Sequence, residues 1–258
     1  MFPNYDEKYP KIEIRQCLTI AEFDSCVALQ QEAFELPDIE ISPRRHLVVT
    51  HNAGGWILGA FCGARIVGFV LHLPALTDGA IGGYSHMMAV SKDMQNVGVG
   101  AKLKWAQRAR ALAEGVNFIK WTWDPLQARN AHFNLNRLGV VARSYAENFY
   151  GTDYLPQAGY GQTPIGIDSD RLIAEWQLDN KRVVDLNEAI PRANSPKPVN
   201  EIVIPANWAT LVSENPALAR EEQQRVREEF RQSFQQGLIC AGFQRDETHP
   251  RYLLFEHL

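Results

Sequence analysis

A mixed α/β fold is what the sequence predicts: a mostly antiparallel central sheet with flanking helices, followed by a small α+β extension at the C-terminus. Three observations predict it. Strand-like and helix-like segments run in the order β-α-α-β-β-β-α-β-α before a further strand. The three consecutive strand-like runs, WILGAFCG, ARIVGFVLHL and GGYSHMMAV, are broken only by Gly63 and the turn-rich TDGAIGG, as antiparallel neighbours would be. A helical stretch around 101 to 115 then separates the third run from the strand FIKWTW, which is the layout of a parallel crossover.

The elements follow in order. IEIRQC (12 to 17) reads as a strand, and Ala21 to Phe34 as a helix opened by a capping box of Thr19 and Glu22. Pro43 to His51 reads as a second, shorter helix before the three strands. In the helix after them, Trp105, Ala109, Leu112, Ala113 and Val116 are expected to form the buried face. FIKWTW (118 to 123) returns as a strand. Asp124, Pro125 and Gln127 supply an N-cap, an N1 proline and a capping partner for a helix that Gly139 ends. DRLIAEWQL (170 to 178) closes the first domain, placed at 1 to 178.

Composition limits the function. Hydrophobic residues make up 45% of 258, enough for a packed core, and a net charge of −4 gives no general attraction to nucleic acid or an anionic membrane. There is no apolar run of spanning length, and MFPNYDEKYPK lacks the apolar centre of a secretion signal, so a cytoplasmic location is expected. Cys17, Cys26, Cys62 and Cys240 are scattered without a C-x-x-C, which suits reduced thiols, and the seven histidines show no ligand spacing; no metal is expected.

The stretch QNVGVGAKLKW (95 to 105) carries the chemistry. Gly98 and Gly100 tolerate positive φ and close ligand approach, and they stand where a strand hands over to a helix. The first N–H groups of a helix have no partner within it and lie at the positive end of its dipole, so a pyrophosphate fits there. Neither familiar phosphate motif fits: position 103 is Leu where a dinucleotide fingerprint needs a third small residue, and Ala101-Lys102 follows Gly100 where a Walker loop needs Lys-Ser/Thr.

Gln95-Asn96-Val97-Gly98-Val99-Gly100-Ala101 resembles the Q/R-x-x-G-x-G/A acyl-CoA pyrophosphate loop of the GNAT superfamily of N-acyltransferases. Met88-Ala89-Val90 stands where that family ends its fourth strand in a similar apolar triplet, and Asn130-Ala131 with Leu138-Gly139 is similar to its later N-x-x-A helix ending in Gly. The resemblance covers roughly residues 12 to 178. It implies an acyl-CoA co-substrate, acetyl-CoA by default, with its pyrophosphate on the amides of Val97 to Ala101 and its pantetheine arm along Met88 to Val90. Lys102, Lys104 and Arg108 are expected near the phosphates, and Asn130 is carried as a further cofactor-binding position. An amine attacks the thioester directly in a ternary complex.

The resemblance also implies roles that the residues fill unevenly. Where many members carry a Glu on the fourth strand, this chain has His86, the candidate base; simple alternation puts it on one face with Tyr84, Met88 and Val90. Where members often carry a Tyr acid, this chain has Leu135, which cannot donate. Substitutes are Asn130, His132, Asn134, Tyr150 and Tyr145, the last being carried as the candidate acid; water as donor also stays open. The rival to the enzyme is a non-catalytic acyl-CoA binding or sensing module.

The expected acceptor is a small-molecule amine or amino acid. Acidic Glu35, Asp38 and Glu40 in ELPDIEISP would attract an ammonium group, and 151 to 168 reads as a substrate-side flap. Trp121 and Trp123 project alike from their strand, as core residues or as a stacking surface. NEAIPRANSPKP reads as a linker into an extension (179 to 258) with a helix at 216 to 236 and strands at LICAGFQ and RYLLFE. Its open roles are cover for the acceptor site, a small subdomain, or an oligomer contact such as a homodimer interface.

Overall fold

The structure is a computed structural model that describes residues 11–34, 38–77, 79–154, 165–191 and 196–258. These divide into two compact units, residues 1–119 and 120–258, so the division precedes the expected boundary at 178.

The first unit is an antiparallel sheet between helices. Strand β1 (Ile12–Gln16) pairs with β2 (Trp56–Cys62), β2 with β3 (Arg65–Thr77), and β3 with β4 (Ala80–Val90), all antiparallel. Helix α1 (Ile20–Phe34) opens with the expected capping box: the Glu22 amide donates to Thr19 Oγ1 at 3.2 Å and the Thr19 amide to Glu22 Oε2 at 2.9 Å. Helix α2 (Arg44–Asn52) begins after Pro43. One sheet face packs Ile57, Phe69, Leu71 and Ala89 against Phe23 and Leu29 of α1 and Leu47 of α2. The other packs Trp56, Leu58, Val67 and Val70 against Val99 and Leu103 of α3 (Val99–Ala113). Buried on both faces, β2 is apolar throughout, which is why WILGAFC shows no alternation.

The expected buried face of α3 is corrected. Val99, Leu103, Lys104, Gln107 and Ala111 are the buried positions, whereas Ala109 and Ala113 are exposed. Two of the five are polar, so a count of apolar residues selected a neighbouring stripe. Their polar ends are satisfied inside the unit: Lys104 Nζ donates to Ser85 Oγ at 2.8 Å and Gln107 Oε1 at 3.0 Å, and Gln107 Nε2 lies 3.3 Å from His72 Nδ1. The His72 ring stacks on Trp56 with centroids 4.1 Å apart, and Gly83 leaves the room it needs, since a Cβ there would sit 2.2 Å from the ring.

Burial pushes the His72 pKa down to about 4 from an ordinary 6.5. Above pH 6.5 the ring is neutral both folded and unfolded. Between 6.5 and 4 only the unfolded chain takes up the proton, so stability falls as pH falls through that window. The shift is worth about 3 kcal/mol. Urea unfolding across that window is expected to show the loss, and His72→Gln to flatten it.

The second unit holds the rest. Strand β5 (Phe118–Trp123) straddles the division. Asp124 closes a turn, its Oδ1 accepting the Leu126 amide at 2.8 Å, and α4 (Ala128–His132) starts at Ala128 instead of at Pro125. A wider π turn over Phe133–Arg137 continues α4, and Gly139 at φ 74° ends it as expected. Strand β6 (Tyr145–Ala146) pairs antiparallel with β7 (Arg171–Gln177). A helix that the sequence reading did not anticipate, α5 (Lys181–Asn187), capped by Asn180, runs up to the first residue of the stretch read as linker. Beyond it β8 (Asn200–Val203), α6 (Trp208–Glu214), α7 (Pro216–Gln235), β9 (Ile239–Gln244) and β10 (Arg251–Phe255) include a second sheet in the order β8-β10-β9.

The extension is built into this unit. Ala142 bridges Cys240, the Phe243 amide donates to Asn136 Oδ1 at 2.9 Å, and Trp123 Nε1 donates to Tyr252 at 3.2 Å. Trp121 and Trp123 are core residues, Trp121 edge-on to Trp176. Among the described residues no helix is long and apolar enough to cross a membrane, and no group of three or more His, Cys, Asp or Glu is placed to hold a metal ion.

Candidate functional site

The glycine loop has the backbone of an anion cradle. Asn96 at φ 64° and Gly98 at φ 88° are both left-handed, and Gly98 is the N-cap of α3. Alternating left-handed residues turn successive N–H groups to one side, and the amides of Val99, Gly100 and Ala101 are the first of the helix, which the helix itself leaves without acceptors. Gln95 Nε2 ties the loop back to the Val90 carbonyl at 3.2 Å. The preceding turn is held by Arg65, which grips Asp93 at 2.8 and 2.9 Å and holds that carboxyl down at about pKa 2.

The two glycines are there for different reasons. A Cβ at Gly98 would meet nothing within 4 Å, so its requirement is the positive φ; a Cβ at Gly100 would meet Met88 Cε at 3.3 Å, so its requirement is close packing of α3 on β4. Gly98→Ala is therefore expected to cost about 1 kcal/mol through the left-handed backbone, read by chemical denaturation, with weaker binding of the anion whose cradle it deforms.

Met88, Ala89 and Val90 pair with Val70, Phe69 and Gly68 of β3. Met88 and Val90 pack on the α3 side with Val97 and Val99, and Ala89 on the α1–α2 side. Lys102 is exposed in the first turn of α3. Lys104 is corrected: it is buried in the unit at 3% exposure, donating to Ser85 and Gln107, away from a surface phosphate site. Arg108 lies with its guanidinium 6.0 Å from the Trp105 ring.

His86 stands at a bulge that alternation could not anticipate. Met87 pairs with Leu71 and Ser85 with His72, so His86 is an extra residue in β4 with no partner in β3. The inserted residue reverses the alternation. Ser85 reaches Gln107 of α3, while His86 faces His46 of α2, ring centroids 5.5 Å apart and edge to face. His86 therefore does not share a face with Met88 and Val90, which pack toward α3. It is half-buried, and burial first, then the neighbouring His46, lower its pKa below the ordinary 6.5. His46 Nδ1 lies 3.1 Å from Ser42 Oγ. Sequence reasoning did not single out His46; the helix number and spacing gave no signal for it.

The remaining expected residues belong to the second unit. Asn130 is exposed on α4, and Leu135 is fully buried. The Tyr145 hydroxyl donates to Asp170 Oδ2 at 2.7 Å, and burial, with the Asp170 charge, raises its pKa far above the ordinary phenol value. Phe149, Tyr150 and Tyr154 cluster at 4.7 and 4.9 Å, with Arg171 over the Tyr150 ring at 5.0 Å. Residues 155 to 164 of the expected flap, and Glu35 of the acidic loop, lie outside the described residues; Asp38 and Glu40 bound a short 3-10 turn.

No protein-family model matches this chain, and no curated protein matches it in sequence. Solved structures do. A proposed acetyltransferase of the GNAT family from Desulfovibrio desulfuricans has a TM-score of 0.52 at 16% identity, over 65% of this chain and 99% of that one. The ribosomal-protein-S18-alanine N-acetyltransferase of Escherichia coli has 0.52 at 14% identity, over 66% and 96%. An N-acetyltransferase from Staphylococcus aureus Mu50 has 0.51 at 11%, over 66% and 99%.

Proposed function

We propose, from the premise that this chain has the GNAT acetyltransferase fold, that it is an acyl-CoA-dependent N-acyltransferase. The donor is an acyl-CoA, acetyl-CoA by default, and the acceptor is the amine of a small molecule or amino acid. The observation that carries the reading is the left-handed pair Asn96 and Gly98 opening onto the N-terminus of α3.

The residues present fit the co-substrate. Amides from Val97 to Ala101 would hold its pyrophosphate, and exposed Lys102 stands in the same first turn of α3. Met88 to Val90 would align the pantetheine arm, and Asn130 remains a candidate contact. The thioester supplies an acyl group already activated for attack, so no covalent enzyme intermediate is needed.

His86 accepts the proton that the acceptor ammonium must lose before its nitrogen can attack. A neutral imidazole is needed for this, and its lowered pKa keeps it neutral at pH 7. Return of a proton to the departing sulfur falls to water, because the proton of Tyr145, the candidate acid, is already committed to Asp170.

Calorimetric titration of CoA tests the cradle. The wild type is expected to bind, and Gly100→Glu, whose side chain would press on Met88 and add a negative charge to the first turn of α3, to lose binding by 100-fold or more, about 3 kcal/mol. Equal binding by both would remove the loop from the site.

A further inference from the structure

We propose that Lys104 is a positioning residue for His86: held between α3 and β4, its Nζ fixes Ser85 and with it the bulge that turns His86 toward α2. The inference rests on the reading of His86 as the base.

A bulge is a place where a strand can relax. The residue in excess makes no ladder pair, and sliding the register by one would restore regular pairing and send His86 to the opposite face. Something must hold Ser85 toward α3 while its neighbour points the other way. The Lys104 amine donates to Ser85 Oγ at 2.8 Å and to Gln107 Oε1 at 3.0 Å, and Ser85 Oγ donates to the same Gln107 oxygen at 3.2 Å. All three side chains are buried, at 3, 5 and 0% exposure. His72, the β3 partner of Ser85, lies against Gln107 as well. The cluster thus grips both strands at the first regular pair beyond the bulge.

Breaking such a buried contact is costly, because the groups left behind cannot turn to water. A shift that restored regular pairing would break it, so the bulged register is the one that keeps Ser85 satisfied. A lysine suits the place: its four-carbon stem crosses the apolar layer between α3 and the sheet and carries its amine to Ser85 and Gln107, where burial lowers its pKa well below the ordinary 10.5. The titratable neighbour acting on His86 from α2 is His46, and Lys104 acts from the other face through Ser85.

Ser85→Ala and Lys104→Met test the proposal, with His86 followed by NMR titration of its imidazole. Both variants are expected to lower kcat ~10- to 100-fold while KM for the acyl-CoA stays within about 2-fold. The His86 midpoint should move up toward 6.5 as the ring leaves its buried position. Lys104→Gln, which keeps an N–H donor, should recover part of the kcat that Lys104→Met loses. If Lys104→Met fails to fold, Ser85→Ala reads the same contact by removing one hydroxyl. An unchanged His86 midpoint and unchanged kcat in a variant that still binds CoA would overturn the proposal. Should His86→Ala keep full turnover, the base reading fails alone, and the His86 midpoint in Ser85→Ala still decides whether Lys104 and Ser85 position the ring.

Discussion

Replacing His86 by alanine is expected to lower kcat by ~10²- to 10⁴-fold, the range lost with a general base, while CoA affinity stays unchanged. The ring belongs to the bulge and faces α2; the amides proposed to hold CoA belong to the loop and helix beyond Val90, so the two proposed functions separate. The pH profile carries a second signature. The base works when deprotonated, and burial lowers its pKa, so kcat is expected to hold as pH falls to 6.5 and to decline only below it. In His86→Ala that limb disappears. Stopped-flow or steady-state thiol release across pH 5 to 8 checks both, and full turnover by the variant would transfer the proton to solvent.

The second large effect lies in the other unit. Arg227 on α7 grips Asp170 with Nε at 2.8 Å and a terminal nitrogen at 3.0 Å, Asp168 at 2.7 Å and Glu147 at 2.6 Å. The Asp170 side chain is fully buried, and it also accepts the Tyr145 hydroxyl and, at 2.9 Å, the Asn148 amide. With Arg227→Met a buried carboxylate loses its positive partner, a loss of ~3–5 kcal/mol. Urea denaturation followed by a second-unit probe such as Trp123 or Trp176 is expected to show it. A loss under about 1 kcal/mol would mean that Asp170 is held by Tyr145 and Asn148 alone. Because Arg227 and its partners lie 57 to 80 residues apart, this contact also explains why the extension and the segment from 120 to 178 form one unit.

What the sequence could disclose was set by how local each cause is. Thr19 and Glu22 cap α1 across three residues, and Gly139 ends its helix by its own φ, so both were legible. The left-handed turn at Gly98 was legible for the same reason, though the left-handed Asn96 two residues before it was not. The bulge at His86 depends on pairing with β3, where Ser85 meets His72 and Met87 meets Leu71, and alternation along β4 alone misplaced the ring. Lys104 misled in a different way: a lysine early in a helix reads as a surface charge, and the acceptors that meet it inside the unit, Ser85 and Gln107 among them, come from packing that the local sequence does not show. Asp124 and Pro125 look like a helix start, yet Asp124 bonds the Leu126 amide and spends its capping capacity on a turn. The stretch beyond residue 178 concealed α5 because the helix is seven residues long, and its three apolar positions, Val183, Val184 and Leu186, are too few for periodicity to register.

The central claim is that the loop before α3 and the histidine on the β4 bulge serve one transfer reaction. Release of free thiol from acetyl-CoA and from longer acyl-CoAs, across a panel of amino acids and small amines, tests it most directly, with Gly100→Glu as control. Thiol release that depends on an amine and vanishes in the control is the predicted result. Binding of CoA by the wild type with no thiol release for any amine would contradict it, and would leave a protein that binds acyl-CoA without turning it over.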